Sequence, residues 1–339
     1  MTNVALASPL AESARRREEH VAHLPVMLEE VLEFWPGRPD GLLVDQSFGI
    51  GGHTFAALQR FPEARVLAFD ADPQAVAEGR VRQQAEGVSE DRLRIEQGWA
   101  GSLTSDLERL GVEPGSVSGV LFDTGVRSEL FEDEERGFSF RNPEAPLNMK
   151  FDPDSEGPTA ADLLASLSQE ELARLFWEYG GDRQARRIAA TICSRREAED
   201  IATCGQLSKL VFAAHHRSRI RNIDARTQVW QALRMAVNDE AGQLTAALDA
   251  AHYALEPHGR LVVICFESTL DRIAKSWMRA KAQKHVPFRR EPVPTAPDQF
   301  RPEPEIEALT PKALKPTETE ARANPRARSA KLRVAEKLR

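Results

Sequence analysis

Short apolar runs alternate with amphipathic stretches along the first third of the chain. Four runs have the length of buried strands and are bounded by glycine or polar residues: LLVD (42–45), RVLAFDAD (65–72), LRIEQG (93–98) and GVLFD (119–123). The stretches HLPVMLEEVLEFW, FAALQRF and DPQAVAEGRVRQQA have apolar residues at helical spacing, and Pro25 suits the first turn of the first helix. This alternation predicts an α/β doubly wound fold, a parallel sheet with helices on both faces.

The pattern changes after the fourth run. Residues 129–231 contain acidic loops and helical spacing, with a capping box at Ser168 and Glu171, and no convincing strand. Alternation then resumes with a long helix (229–255), a turn at EPHG (256–259), a strand (260–266), a helix (270–280), a proline-rich loop (286–305) and a last strand within 324–337. The chain is therefore predicted to divide into two parts of one α/β domain, 1–128 and 232–339, around an all-α insertion, 129–231.

Composition narrows the class of protein. The longest apolar run is LVVICF (261–266), whereas a membrane-spanning helix needs roughly 20 apolar residues, so no membrane segment is expected. The arginines near the N-terminus follow a short apolar stretch, the reverse of a secretory signal, and we expect a cytoplasmic protein. Three widely spaced cysteines without a CxxC pair indicate neither a disulfide framework nor a metal site.

Charge is distributed unevenly. The formal net charge of -7 argues against a uniformly basic surface for nucleic acid. Two segments are nevertheless basic: residues 215–226 contain four Arg and one Asp, and residues 312–339 contain nine Lys or Arg and three Glu. These segments permit binding to a polyanion, although solvated loops and termini would have the same composition.

A glycine-rich segment, VDQSFGIGGHT (44–54), follows the first predicted strand and precedes a helix. Gly49, Gly51 and Gly52 stand where a doubly wound sheet binds a nucleotide-like ligand, since glycine allows a sharp turn and a close approach to the backbone. Thr54 takes the place of the third glycine of a dinucleotide fingerprint, which weighs against an NAD-linked oxidoreductase.

Acidic residues end the first two strands. Asp45 would attract an ammonium group rather than a pyrophosphate, and Asp70 is placed to accept hydrogen bonds from both hydroxyls of a ribose. Asp72 competes for the ribose role or caps the helix that starts near Pro73. A ligand with both an ammonium group and a ribose indicates S-adenosylmethionine as the cofactor.

Ten segments, spread over nearly the whole chain, carry a family pattern: HLPVMLEEVLE, VDQSFGIGGHT, FDADPQAV, LFDTGV, RGFSF, APLNMKFD, YGGDRQARRIA, QALRMAVNDE, GRLVVICFESTLDRIAK and NPRARSAKLRVAE. With these segments in this order, the chain resembles the bacterial 16S rRNA (cytosine-N4)-methyltransferase family, known as RsmH or MraW.

The resemblance implies a class I S-adenosylmethionine-dependent methyltransferase with a Rossmann-like sheet and an inserted all-α domain that recognises substrate. It implies N4-methylation of a cytidine in the decoding centre of 16S rRNA, and hence 16S rRNA or the small ribosomal subunit as partner, with no metal. Carried over from the family, the cofactor contacts fall on Gly51, Gly52, His53, Asp70 and Asp123. The family's aromatic residue after the third strand corresponds to Ala100, beside Trp99.

Positions around the expected target base depart from the family pattern. The family's D-L-G-V-S-S-x-Q reads DTGVRSEL (123–130), so that Arg127 replaces a serine and Leu130 a glutamine. Lys150 replaces an arginine and cannot make its planar bidentate contact. The candidates for substrate binding are Asn148 and Lys150 in PLNMKFD, Glu267 in FESTLDR, and Gln231. Gln231 is the same as in the family pattern, whereas the nearby Gln228 stands where the family has arginine.

Two hypotheses account for these departures. In the first, the protein methylates RNA, with Asp123 as the hydrogen-bond acceptor that activates the weakly nucleophilic cytosine amine. Phe138, Phe140 or Trp230 would then stack on a flipped base, unless they pack in the core. In the second, a divergent paralogue binds the cofactor or RNA as a ribosome-assembly factor and no longer transfers methyl groups.

The remaining candidates have simpler interpretations beside the functional ones. Arg183, Arg186 and Arg187 would contact phosphates or form a solvated helix face. Asp271 and Lys275 have the spacing of a helix ion pair, and Glu267 is an alternative general base. A cytosine C5 mechanism would need an exposed thiolate, for which Cys204 is the candidate, whereas Cys265 lies in an apolar run.

Overall fold

The computed structural model describes residues 25–215, 224–282 and 303–339. Their contacts form two compact units. The first, the sheet unit, comprises the described residues of Met1–Asp70, Gln74–Gly125 and Ala246–Arg339; the second, the helical unit, comprises those of Ala71–Pro73 and Val126–Thr245.

A single sheet of seven strands organises the sheet unit, in the order β3-β2-β1-β4-β5-β7-β6. Its strands are β1 (Leu42–Asp45), β2 (Arg65–Asp70), β3 (Leu93–Gln97), β4 (Val117–Asp123), β5 (Leu255–Cys265), β6 (Ile306–Ala308) and β7 (Lys331–Lys337). The first five are parallel, whereas β7 runs antiparallel to β5 and β6 antiparallel to β7. The strand order reverses between β1 and β4, so ligand chemistry is expected at their carboxyl ends.

The helices along the chain are α1 (Leu28–Phe34), α2 (Gly52–Arg60), α3 (Pro73–Ala85), α4 (Leu103–Arg109), α5 (Glu129–Glu132), α6 (Ala160–Ser166), α7 (Gln169–Glu178), α8 (Ala185–Arg196), α9 (Cys204–His215), α10 (Ala225–Val237), α11 (Glu240–Ala254), α12 (Ser268–Ala282) and α13 (Glu318–Ala323). Short 3₁₀ turns cover Ala100–Ser102 and Pro325–Ser329. No helix within these described residues is long and apolar enough to cross a membrane.

Close backbone packing holds α1 against the sheet. Gly119 lies inside β4, where an added Cβ would stand 2.0 Å from the carbonyl oxygen of Trp35. Trp35 and Leu43 are fully buried in the same core cluster. A glycine inside a central strand is thus explained by the approach of the helix end.

The helical unit has its own core. It includes Leu164, Phe176, Ile188 and Leu207, all fully buried. Capping boxes begin α6 at Thr159 and α7 at Ser168, and the second confirms the prediction from sequence.

Three predicted boundaries were wrong. The predicted helix 229–255 is two helices, because Asp239 adopts φ 44° and Asn238 ends α10 by donating its amide to the carbonyls of Arg234 and Met149. The predicted turn EPHG lies inside β5 as an irregularity, with His258 at φ 65°. The first helix begins at Leu28 rather than near Pro25, after Met27 in the left-handed region.

Other expectations concern the two ends of the chain and the insertion. Most of the predicted loop 286–305 lies outside the described residues, and so do residues 1–24. The last strand is present as β7, and the short strand β6 was not predicted. The predicted insertion 129–231 lies within the helical unit, which also includes α10 in full and three residues that follow β2.

Candidate functional site

The glycine-rich loop turns sharply between β1 and α2. Gly49 and Gly51 have φ of 56° and 77°, values that favour glycine. A Cβ on Gly51 would stand 2.6 Å from the Phe48 ring and 2.7 Å from the Phe55 ring, whereas a Cβ on Gly49 would meet nothing within 4 Å. The loop is therefore packed on one side and open at Gly49, and it presents the first N–H groups of α2, which have no partner within the helix.

Asp45, at the end of β1, is hydrogen-bonded to Ser47 in this loop and to Thr54 in α2. It is 1% exposed; its Oδ1 accepts a hydrogen bond from the Ser47 N–H at 3.1 Å, and its Oδ2 accepts one from the Thr54 hydroxyl at 2.6 Å. Burial raises the pKa of Asp45 to about 6, against the opposing effect of these hydrogen bonds. Its role towards an ammonium group stays a prediction.

Asp70 lies at the carboxyl end of β2 and reaches the same loop. Its Oδ2 accepts a hydrogen bond from the Gly49 N–H at 2.7 Å. The acid predicted to bind a ribose is thus fixed beside the open position of the loop.

Asp72, the competing acid, is buried in the helical unit. Its Oδ2 lies 3.1 Å from the Arg127 Nε, and its Oδ1 lies 3.7 Å from the Arg136 Nη1. Arg136 also donates to the carbonyls of Lys150 and Phe151. Arg127, which stands where the family has serine, is therefore part of a buried ion-pair cluster.

Asp123 and Asp45 lie on the same face of the sheet. Asp45 is the register partner of Leu121, and residues two apart on one strand point to the same side. The Asp123 N–H donates to the Ser47 hydroxyl at 2.5 Å, and its Oδ1 accepts from the Gly125 N–H at 3.3 Å. Burial, and secondarily the charge of Glu267, raises the pKa of Asp123 to about 7, although a fifth of the side chain is exposed.

His53 stands between the loop and Asp123. Its Nδ1 is 3.8 Å from the Asp123 Oδ2, and its Nε2 is 3.0 Å from the Val26 carbonyl oxygen. Burial lowers the pKa of the ring, although the charge of Asp45 acts in the other direction. Within the described part of the chain, the ring is hydrogen-bonded at Nε2 only, and the cofactor contact predicted for His53 stays a prediction.

The end of β3 carries the two positions at which the sequence predicts a further cofactor contact. Ala100 begins a 3₁₀ turn, Trp99 precedes it, and both are half-buried. The turn is held by the Ser102 hydroxyl, which donates to Asp106 at 2.5 Å. The aromatic ring at this end of the sheet is therefore that of Trp99, one position before the family's.

Three residues predicted to bind substrate lie in the helical unit, and each forms a hydrogen bond within that unit. The Asn148 Oδ1 accepts from the Lys150 N–H, the Lys150 Nζ donates to the Ser155 carbonyl, and the Gln231 Nε2 donates to the Tyr179 carbonyl. Glu267 lies in the sheet unit, close enough for its charge to act on Asp123.

The stacking hypothesis is wrong for two of its three aromatic residues. Phe138 and Trp230 are each 4% exposed; Phe138 stacks on Phe151, and the Trp230 Nε1 donates to the Gly137 carbonyl. Phe140 is half-buried and meets Trp230 edge to face.

Two alternatives named from the sequence are not supported by the structure. Cys204 is fully buried, and desolvation raises the pKa of its thiol to about 11, which is unsuited to a thiolate mechanism. Asp271 pairs with Lys331 and Arg333 on β7 rather than with Lys275.

Ser47, Thr54 and Arg136 were missed by sequence reasoning. Each contacts a residue that was predicted. The Ser47 N–H donates to the Asp45 carboxylate, and the Ser47 hydroxyl accepts from the Asp123 N–H. The Thr54 hydroxyl donates to Asp45, and Arg136 pairs with Asp72. A hydroxyl two or nine residues after a strand-end acid is a weak signal, because many loops contain one.

The residues present fit a nucleoside with an amino-acid tail. An open glycine, an acid at the end of β2 and the start of a helix surround one place at the sheet edge. No group of His, Cys, Asp and Glu suited to a metal ion occurs among residues 25–215, 224–282 and 303–339.

Known proteins are similar over nearly the whole chain. The model of the MraW methylase family matches residues 20–338. A protein of Methylobacterium sp. (strain 4-46), named ribosomal RNA small subunit methyltransferase H, is 40% identical over 322 residues, covering 93% of this chain and 90% of that protein. A protein of Gluconobacter oxydans (strain 621H) with the same name is 41% identical over 317 residues, covering 93% of each.

Solved structures show a weaker likeness. A putative rRNA methylase from Clostridium thermocellum is 11% identical with a TM-score of 0.40, covering 99% of each chain. An rRNA methylase from Streptococcus thermophilus is 11% identical with a TM-score of 0.37, covering 92% of this chain and 94% of that one. The fold assignment rests on the strand order and on the family, which together confirm the predicted Rossmann-like methyltransferase fold.

Proposed function

Since this chain belongs to the MraW methylase family, we propose that it is an S-adenosylmethionine-dependent methyltransferase that modifies ribosomal RNA of the small subunit. More specifically, the target is the N4 amine of a cytidine in the decoding centre of 16S rRNA, and the reaction takes place in the cytoplasm. The observation that carries the proposal is the set of acids, Asp45, Asp70 and Asp123, held around one glycine-rich loop.

The glycine-rich loop and Asp70 contact different parts of the cofactor. Bound S-adenosylmethionine supplies an electrophilic methyl group on a sulfonium. Asp70 accepts hydrogen bonds from the ribose hydroxyls, and the N–H groups of Gly52 and His53 at the start of α2 bind the carboxylate of the amino-acid end. Trp99 and Ala100 line the side near the base of the cofactor.

Asp123 acts on the target amine. A cytosine amine is a weak nucleophile because its lone pair is delocalised into the ring, so it needs an acceptor that aligns an N–H and receives its proton. Burial has raised the pKa of Asp123 to about 7, close to the value at which a general base is most effective near neutral pH. Glu267 strengthens this effect from the start of α12.

The helical unit binds the RNA. Arg183, Arg186 and Arg187 are exposed, and none has an ion-pair partner among the described residues. Arg186 and Arg187 lie in the first turn of α8 and Arg183 lies two residues before it, so the three are close along the chain and can neutralise neighbouring phosphates. Asn148, Lys150 and Gln231 are the candidates for contacts near the target base.

An inactive assembly factor is the weaker alternative. Such a protein would not need an acid of raised pKa beside an open glycine loop. The family and the intact arrangement of Asp45, Asp70 and Asp123 favour the enzyme.

Transfer of a radiolabelled methyl group tests the proposal. The substrate is small-subunit rRNA, free and in 30S particles, from a strain that lacks its own family member. Label in N4-methylcytidine after digestion to nucleosides is the expected result. Tight binding of S-adenosylmethionine without label in any RNA would contradict it and favour the assembly factor.

A further inference from the structure

The imidazole of His53 lies between a carbonyl oxygen, which can only accept a hydrogen bond, and a carboxyl group, which can also donate one when it is protonated. On one side the Val26 carbonyl oxygen lies 3.0 Å from Nε2; on the other the Asp123 Oδ2 lies 3.8 Å from Nδ1. The side chain of His53 is 7% exposed, so water does not compete strongly for either nitrogen.

The Val26 carbonyl fixes the tautomer of the ring. A carbonyl oxygen accepts hydrogen bonds and cannot donate them, so Nε2 must carry a hydrogen. Burial disfavours the imidazolium and lowers the pKa of His53, which leaves Nδ1 with a lone pair. That lone pair faces the carboxyl group of Asp123.

We propose that His53 is a positioning residue for Asp123: its Nδ1 accepts a hydrogen bond from the Asp123 carboxyl once that group has taken a proton from the target amine. This inference rests on the proposed role of Asp123. It assigns to the His53 ring a task distinct from a cofactor contact, which the backbone N–H at position 53 makes.

The proton balance is simple. As the amine nitrogen forms its bond to the methyl group, the electron pair of the broken S–C bond stays on sulfur, and one N–H proton passes to the Asp123 Oδ2. The protonated carboxyl then donates to the His53 Nδ1, and the gap of 3.8 Å closes to about 2.8 Å, an ordinary hydrogen-bond distance. The proton returns to water from Asp123 before the next turnover.

Among the described residues, the other charged groups that act on this pair are acids. Glu267 raises the pKa of Asp123 and so favours its protonated form. Asp45 and Glu320 on α13 act to raise the pKa of His53, but burial has the larger effect and lowers it. With desolvation keeping the ring neutral, the pair holds its single proton on Asp123.

Two substitutions at one position separate this role from a purely structural one. In His53→Gln the side-chain amide takes the place of Nε2 and can donate to Val26, but nothing replaces Nδ1. In His53→Asn the side-chain oxygen takes the place of Nδ1 and can accept from Asp123, but the donor to Val26 is removed. The exposed His258→Gln serves as the control for loss of a histidine.

The first readout is the titration of the Asp123 carboxyl, followed by NMR of protein with ¹³C-labelled aspartate. We expect His53→Gln to lower the midpoint by about one pH unit, a tenfold change in the equilibrium, and His53→Asn to leave it near the wild-type value. Equal midpoints in the two variants would overturn the proposal.

Turnover and the tautomer give two further readouts. His53→Gln should lower kcat roughly tenfold or more and shift the pH profile with the Asp123 midpoint, while the Kd for S-adenosylmethionine stays unchanged.

In ¹⁵N-labelled wild-type protein at pH 7, His53 should show the neutral Nε2–H form, and an imidazolium or an Nδ1–H form would overturn the proposal even if a variant failed to fold. Because titration and tautomer need no RNA, failure of the proposed function would appear separately, as absence of transfer by the wild type.

Discussion

At the scale of single residues, the candidate site contains three carboxyl groups at the ends of strands, and burial raises the pKa of two of them, Asp45 and Asp123. Asp45, Asp70 and Asp123 were predictable because each ends an apolar strand. The pKa shifts of Asp45 and Asp123 were not predictable. The hydrogen bonds from Ser47 and Thr54 and the contact with His53 depend on how the loop folds back over the strand ends. Patterning along the chain therefore located the acids, whereas burial raised the pKa values of Asp45 and Asp123.

The raised pKa of Asp123 makes stability depend on pH. A carboxyl whose pKa rises from 3.8 to about 7 on folding binds more protons in the folded chain than in the unfolded chain over that interval. Burial favours the protonated form, so the contribution of Asp123 to the free energy of unfolding is fully present below pH 4 and is lost as the pH rises towards 7. We expect Asp123→Asn to unfold at a higher temperature than the wild type at pH 8, by an amount equivalent to about 1–2 kcal/mol.

Thermal melts of the ligand-free proteins at pH 5 and pH 8 check this expectation. The difference between Asp123→Asn and the wild type should shrink at pH 5, and the exposed Asp91→Asn should show no such pH dependence. A variant that is less stable than the wild type at pH 8 would show that the carboxylate is stabilised by partners rather than opposed by burial.

At the scale of elements, patterning predicted the main strands and most helices. It failed where a single polar residue redirects the chain. The apolar pattern runs unbroken from 229 to 255, but the Asn238 amide binds the Met149 carbonyl, a residue 89 positions away. Local spacing carries no information about such a partner.

Removal of that amide tests the explanation for the break. Asn238 is 4% exposed, so Asn238→Ala leaves the Met149 carbonyl without this donor and should destabilise the protein by about 1–3 kcal/mol. Urea unfolding is the measurement, and Gln84→Ala, which removes an exposed amide on α3, is the control. Equal stability of the two variants would refute the role given to Asn238.

The turn before α2 allows a second test at this scale. Gly51 and Gly111 both have positive φ, but only at Gly51 would a Cβ meet neighbouring atoms, the rings of Phe48 and Phe55. Gly111→Ala should cost roughly 1 kcal/mol from backbone strain alone, whereas Gly51→Ala should cost about 2 kcal/mol more from the clash.

Calorimetry gives the cofactor affinity of the same two variants. Gly51→Ala should bind S-adenosylmethionine at least tenfold more weakly, and Gly111→Ala as tightly as the wild type. Unchanged affinity in Gly51→Ala would remove this loop from the cofactor site.

At the scale of the whole molecule, the sheet unit and the helical unit have separate cores. The alternation of strands and helices predicted the sheet and the run of helices, whereas the role of the helical unit in substrate recognition stays a prediction. The alternation did not predict that Asp72, two residues beyond β2, would pack with Arg127 and Arg136 in the helical unit. Such a pairing depends on residues about 55 to 64 positions apart.

The salt dependence of RNA binding tests the helical unit as the recognition domain. Arg186→Ala with Arg187→Ala should weaken binding to rRNA and reduce the slope of log K against log salt by roughly 0.7 to 0.9 for each phosphate that the variant no longer neutralises. Arg94→Ala, at an exposed arginine on β3 already paired with Glu96, is the control and should change neither. An unchanged slope in the double variant would place the RNA elsewhere.

Single-turnover methyl transfer to small-subunit rRNA by the wild type and Asp123→Asn, with the product identified as a nucleoside, tests the central claim most directly. The account predicts labelled N4-methylcytidine from the wild type and a rate at least 100-fold lower from Asp123→Asn, the loss typical of a removed proton acceptor. Equal rates from the two proteins, or a different methylated nucleoside, would contradict it.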